Sequence, residues 1–225
     1  MPTSPRRHLL ILLAAAGLLA CMLLGLTAGA AAAKKGKKSA GTLNLTQTVN
    51  APITDAVPGM TLDTRGITNF TAVVGKKFKG LRIRDVDATL QITGTPDTPG
   101  GSSVNDLGAR LTAPNGATVW LFGANSLTGN QIGPLTFDDE TTAIRMSNGD
   151  PNGDPTLLFA PYVGRVQPNG PFTSVNGSLQ PLNVMDDGPV KGTWNLTMID
   201  YFNGGSNTLV SWGLKVQTGK PYLTK

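Results

Sequence analysis

Residues 192–217 read GTWNLTMIDYFNGGSNTLVSWGLKVQ. Trp194, Leu196 and Met198 take every second position before Asp200, and Trp212, Leu214 and Val216 alternate in the same way further on. Successive side chains of a strand point to opposite faces, so each set puts its apolar residues on one side. Between them, Asn203-Gly204-Gly205-Ser206-Asn207 holds the residue types that turn a chain. The stretch predicts a two-stranded unit whose two tryptophans face one side, the inner layer of a sandwich.

The same grammar extends upstream. Leu107, Ala109 and Leu111 alternate up to Ala113-Pro114-Asn115-Gly116, a tight-turn signal, and residues 118–122 return, which predicts a hairpin. Residues 67–74 are rich in β-branched and aromatic types and end at Gly75. Leu81 and Ile83 alternate, the pattern slips by one at Asp85, and Val86, Ala88, Leu90 and Ile92 resume it. Such a slip predicts a bulge or a corner between sheets. Beyond Leu135-Thr136-Phe137 and Ala143-Ile144, the prolines at 151, 155, 161, 168 and 171 argue against regular structure over most of 148–172. No stretch after residue 40 has a helical period. Residues 39–57 are polar and read as a linker entering a first edge strand.

The averages agree with an all-β chain. Of 225 residues, 40% are hydrophobic and 15% charged, with 28 Gly and 16 Pro, a balance unlike that of a coiled coil, an acidic tail or a helical bundle. Arg6-Arg7, an apolar run over 9–26 and small residues through Ala33 have the layout of a secretory signal peptide. The run is also long enough for an uncleaved anchor, the one membrane contact expected. A twin-arginine or lipoprotein signal fits less well, because Pro5 precedes the arginine pair and apolar Met22-Leu23-Leu24 follows Cys21. The expected division is a signal peptide at 1–33, a basic and polar linker at 34–56, a β-sandwich at 57–217 and a tail at 218–225, with export to the cell exterior or surface.

Cys21 and His8 are the only cysteine and histidine, and both fall within 1–33. The exported part then has no imidazole and no thiol, which excludes Ser-His-Asp and Cys-His catalysis and Cys/His metal sites. Six of the 19 basic residues, Arg6, Arg7, Lys34, Lys35, Lys37 and Lys38, precede Ser39, which leaves 13 against 14 acidic ones. A body so nearly neutral lacks the field that holds a phosphate backbone, so nucleic acid is not an expected partner.

The order of several landmarks resembles the P domain, or Homo B domain, of kexin- and furin-like proprotein convertases and of bacterial secreted proteases. They are Asp106-Leu107 leading into Pro114-Asn115-Gly116, then Thr136-Phe137-Asp138-Asp139-Glu140, Ala160-Pro161-Tyr162-Val163-Gly164, Gly192-Thr193-Trp194-Asn195-Leu196-Thr197 with Asp200, and Leu209-Val210-Ser211-Trp212-Gly213-Leu214. The resemblance covers roughly residues 57–217. It implies a jelly-roll β-sandwich of the galactose-binding-like kind, non-catalytic, standing beside a subtilisin-like protease that it stabilises. The His-Thr-Tyr/Phe-x-Gly-Asp-Leu stretch usual in that family is replaced by Gly94-Thr95, a Gly/Pro loop and Asn105-Asp106-Leu107. No protease domain is expected within this length. The implied partner is a separate secreted protease or a cell-surface component.

Asp138, Asp139 and Glu140 are the densest carboxylates, and Glu140 is the only glutamate. Adjacent acids repel unless a cation or basic groups balance them. Calcium takes six to eight oxygens and tolerates irregular loops, so Asp106, Asp138, Asp139 and Asp200 are the candidate calcium ligands if the fold brings the loop ends together. The competing reading is acids that cap turns through backbone N–H groups. Asp150-Pro151-Asn152-Gly153-Asp154 opens like a calcium loop, but Pro155 and Pro161 stand where an EF-hand needs Gly and Glu. Two further functions stay open: a calcium-dependent carbohydrate-binding module, and a small hydrolase working with carboxylates alone. Lys76, Lys77, Lys79, Arg82 and Arg84 read as charges that keep a sheet edge from pairing.

Overall fold

The structure, a computed structural model, describes residues 40–57, 65–124, 127, 129–141, 162–168 and 181–221. The leader, Ala143-Ile144 and the Asp150 to Asp154 loop lie outside the described residues. Among the described residues nine strands are formed: β1 Gly41–Ile53, β2 Gly66–Val74, β3 Arg82–Thr95, β4 Leu107–Thr112, β5 Thr118–Phe122, β6 Gln131–Phe137, β7 Tyr162–Val166, β8 Gly192–Asp200 and β9 Ser206–Gly219. They build a five-stranded sheet, β1-β9-β3-β6-β7, and a four-stranded one, β2-β8-β4-β5. Every pairing is antiparallel except that of β6 with β7. This is the expected all-β sandwich.

One apolar core fills the space between the sheets. Trp194, Leu196 and Met198 of β8 and Trp212, Leu214 and Val216 of β9 are all buried in it, as their alternation predicts. The rings of Phe122 on β5 and Phe137 on β6 stack across the two sheets at 5.9 Å. The indole N–H of Trp194 donates to the Val190 carbonyl at 3.2 Å, which satisfies its polar tip inside the core.

The predicted pairing of the two tryptophan strands is corrected. β8 pairs with β2 and β4, and β9 pairs with β1 and β3, so the strands belong to opposite sheets and residues 201–205 arch between them. A period of two says which way side chains point and nothing about which strand is the neighbour. The arch is tied to the four-stranded sheet where the Tyr201 N–H donates to the Asp106 carbonyl at 2.9 Å.

The linker boundary is corrected as well. β1 occupies most of 34–56 and pairs with β9 along its length, so the described sandwich starts at Gly41. Leu43 and Ile53 are buried while the residues between alternate toward solvent. The polar look of this stretch comes from its being an edge strand with one covered face. At the other end, β9 runs to Gly219, into the expected tail.

The β4–β5 hairpin forms as predicted, with Thr112 opposite Thr118 and the Gly116 N–H donating to the Ala113 carbonyl at 2.9 Å. Gly116 takes φ +87°, a left-handed conformation that suits glycine. The slip at Asp85 is a bulge within one continuous strand: Ile83 faces Thr218 and Asp85 faces Gln217, so β3 carries Arg84 as the extra residue. The first half of β3 extends beyond β6, which pairs only from Ala88 onward. Arg84 there is ion-paired to Asp187 at 2.6 Å.

Candidate functional site

The bulge and the end of β6 bring acids together from distant parts of the chain. Ala88 on β3 faces Phe137 on β6, so Asp85 and Asp87 lie beside the loop that carries Asp138, Asp139 and Glu140. The extra residue at Arg84 resets the alternation, which sends Asp87 and Val86 to places a regular strand beginning at Leu81 would not give them.

Two of these acids are neutralised within the fold. Asp138, 6% exposed, accepts Arg165 Nε at 2.7 Å and the Glu140 N–H at 3.0 Å. Asp87, 3% exposed, accepts Arg165 Nη2 at 3.0 Å and Lys215 Nζ at 2.9 Å. Arg165 on β7 and Lys215 on β9 therefore link four strands of the five-stranded sheet through two buried carboxylates. Burial opposes ionisation of Asp138, yet the Arg165 guanidinium and the Glu140 N–H hold its carboxyl below the usual range.

The remaining acids crowd one another. Asp85, Asp139 and Glu140 each offer a carboxylate oxygen, and the three oxygens lie within 4.8 Å of one another. Burial and then the charge of Asp87 raise Asp85. Glu140 is pushed up to about 7, first by partial desolvation and then by Asp139 and Asp85. Asp186 is raised by desolvation and by the same two neighbours. Asp139 Oδ2 accepts the Asn183 N–H at 3.0 Å, and Asp85 Oδ2 accepts Gln217 Nε2 at 2.6 Å. Asp85 Oδ1 is covered and has no hydrogen-bond partner among the described residues. An orphaned carboxylate oxygen beside two further carboxylates suits a hard cation such as calcium, with backbone or water oxygens completing the shell.

Asp106 and Asp200 do not join this group. Asp200 faces Leu107 across the β4–β8 pair, next to Asp55 and Asp97 near the far end of β3. Asp85 and Thr95 are about 30 Å apart at about 3.3 Å per residue, so the expected four-acid set divides between opposite ends of the sandwich. Of that set, Asp138 and Asp139 lie together at one end and Asp106 and Asp200 at the other, and Asp138 is occupied by Arg165. Asp200, 1% exposed, accepts the Phe202 N–H at 3.3 Å and is pushed up to about 7 by burial and by Asp55 and Asp106. Asp106 is raised to about 6 by burial, Asp55 and Asp97.

Sequence reasoning missed Asp85 as a member of the carboxylate group, and Arg165 and Lys215 as the balancing charges. The slip at Asp85 was the available signal, since a bulge commonly re-aims a side chain.

No protein-family model matches the sequence, and no curated protein matches it. Among solved structures, the chain is similar to the crystal structure of a serine protease of Aeromonas sobria, at 16% identity and a TM-score of 0.40. It is also similar to the crystal structure of the Aeromonas sobria serine protease and chaperone complex, at 16% identity and a TM-score of 0.36. Each alignment covers 80% of this chain and 27% of the other, so the chain spans about a quarter of the length of the solved chains. A likeness of this degree identifies neither family nor partner.

Proposed function

We propose that this chain is an exported, non-catalytic binding or stabilising module: a jelly-roll sandwich of the P-domain type, working beside a separately encoded subtilisin-like protease or at the cell surface and held by calcium. The observation that carries this reading is the convergence of Asp85, Asp139 and Glu140. A cation there would fasten the start of β3 to the loop after β6, where the acids otherwise repel. The sequence landmarks shared with P domains support the rest. The hydrolase alternative draws no support from Asp138, which is pinned by Arg165 and has no partner carboxylate placed across a cleft from it.

Thermal unfolding of the full chain with calcium and with EDTA tests the reading. Calcium at a hundredfold excess over its dissociation constant adds about 2.7 kcal/mol to stability, and the midpoint should rise accordingly. Asp139→Asn combined with Glu140→Gln should abolish that rise. Equal midpoints in calcium and chelator would remove the cation. Recovery of the tagged chain from culture supernatant without any protease or surface component would remove the partner.

A further inference from the structure

The outward face of the four-stranded sheet carries a second set of features, bordered on one side by the Asp200 end. Register lines up Asn69 on β2, Thr197 on β8, Arg110 on β4 and Trp120 on β5 in one row across all four strands. The row to one side consists of Thr71, Asn195, Thr112 and Thr118, whose last two hydroxyls are 2.9 Å apart. To the other side lie Ile67 on β2, Ile199 on β8 and Gly108 on β4, with Tyr201 just beyond β8. A Cβ on Gly108 would meet Tyr201 Cε2 at 2.9 Å and Trp120 Cζ3 at 3.3 Å, so the two rings close over a bare backbone.

Each ring carries an arginine. The Arg65 guanidinium lies 4.4 Å from the Tyr201 centroid and that of Arg110 lies 6.0 Å from the Trp120 centroid. Stacking fixes the plane of a guanidinium while leaving its charge intact. Neither arginine has an ion-pair partner among the described residues. The Nε of each is covered and has no hydrogen-bond partner among the described residues. The row of Ile67, Ile199 and Gly108 separates the two arginines, the two rows beyond it carry hydroxyls and amides, and none of these three rows carries a carboxylate.

Two oriented guanidinium forks match carboxylates in shape and charge. Around them is a hydroxyl- and amide-rich floor about 14 Å wide, given strands about 4.8 Å apart. We infer that this face binds a polysaccharide whose sugars carry carboxylates, the acid groups pairing with Arg65 and Arg110 and the sugar hydroxyls meeting Asn69, Thr71 and Thr118. An extended acidic peptide fits less well, because peptides add to sheets at their edges and Arg110 sits on β4, an interior strand.

Affinity electrophoresis of the full chain through gels containing polygalacturonate, dextran or polyglutamate, with EDTA throughout, tests the assignment and keeps it separate from the cation reading. Retardation is expected in polygalacturonate alone, weakening with salt. Arg65→Gln combined with Arg110→Gln should weaken it by about tenfold or more, equivalent to about 1.4 kcal/mol. No retardation, retardation unchanged in the double variant, or equal retardation by polyglutamate would overturn the inference. If the double variant fails to fold, tryptophan fluorescence of the unaltered chain decides: a change on adding oligogalacturonate and none with a neutral oligosaccharide supports it, and any other pattern overturns it.

Discussion

Arg165 is the residue on which most of the buried charge depends. Replacing it by glutamine leaves Asp138 with a backbone donor and Asp87 with Lys215 alone. Removing one partner of a fully buried pair costs about 3–5 kcal/mol. Arg165 is about half exposed, so solvent screening brings the expected loss for Arg165→Gln to about 1–2 kcal/mol. Because Asp138 is held below its ordinary range, its contribution is present above the unfolded carboxylate value near 3.8 and disappears as pH falls through the lower folded value. Urea unfolding should therefore show the deficit at pH 7 and a smaller one below pH 4. An equal deficit at both would mean the arginine acts by packing and not by charge.

At the scale of elements, the β4–β5 hairpin isolates a purely conformational effect. A methyl group on Gly116 would meet nothing within 4 Å, yet the residue sits at φ +87°. Gly116→Ala should cost about 1 kcal/mol from backbone strain alone, and Gly116→Asn less, since asparagine tolerates this region. Equilibrium denaturation measures both, and an alanine variant as stable as the parent would show that the turn relaxes. This hairpin was legible because Pro-Asn-Gly fixes both a turn and its neighbours. The arch at residues 201–205 was not, for its glycines announce a reversal without saying whether the chain returns to the same sheet. β1 was hidden by its own polarity: an edge strand buries so little that Thr, Gln and Asn serve as well as valine. At the candidate site, Asp138 and Asp139 were visible as neighbours along the chain. Asp85 and Arg165 arrive only through strand pairing, which no local pattern records.

For the molecule as a whole, the Asp200 end should contribute to how stability responds to pH, alongside Glu140 at the other end. Asp200 and Asp106 have folded values raised to about 7 and about 6, so the native state holds protons that the unfolded chain has already released. Their contribution is complete below the unfolded value near 3.8 and is lost as pH rises toward 7. Asp200→Asn keeps an acceptor for the Phe202 N–H and removes the charge. It should stabilise the protein at pH 8 by about 1–2 kcal/mol, with little effect at pH 4. Thermal midpoints across that range give the answer, and parallel profiles for variant and parent would refute it.

β8 is sandwiched between β2 and β4, and β9 between β1 and β3, so the two strands that come last in chain order among the described residues are interior members of their sheets. Neither layer can be completed until residues 192–219 have left the ribosome. The β4–β5 and β3–β6–β7 pairings need neither of them, but β1 and β2 pair in the sheets only with this hub and must wait for it, and pairings between such distant segments assemble slowly. A premature stop codon or a protease nick just before Gly192 would accordingly remove the spine of both layers at once and leave fragments unable to settle.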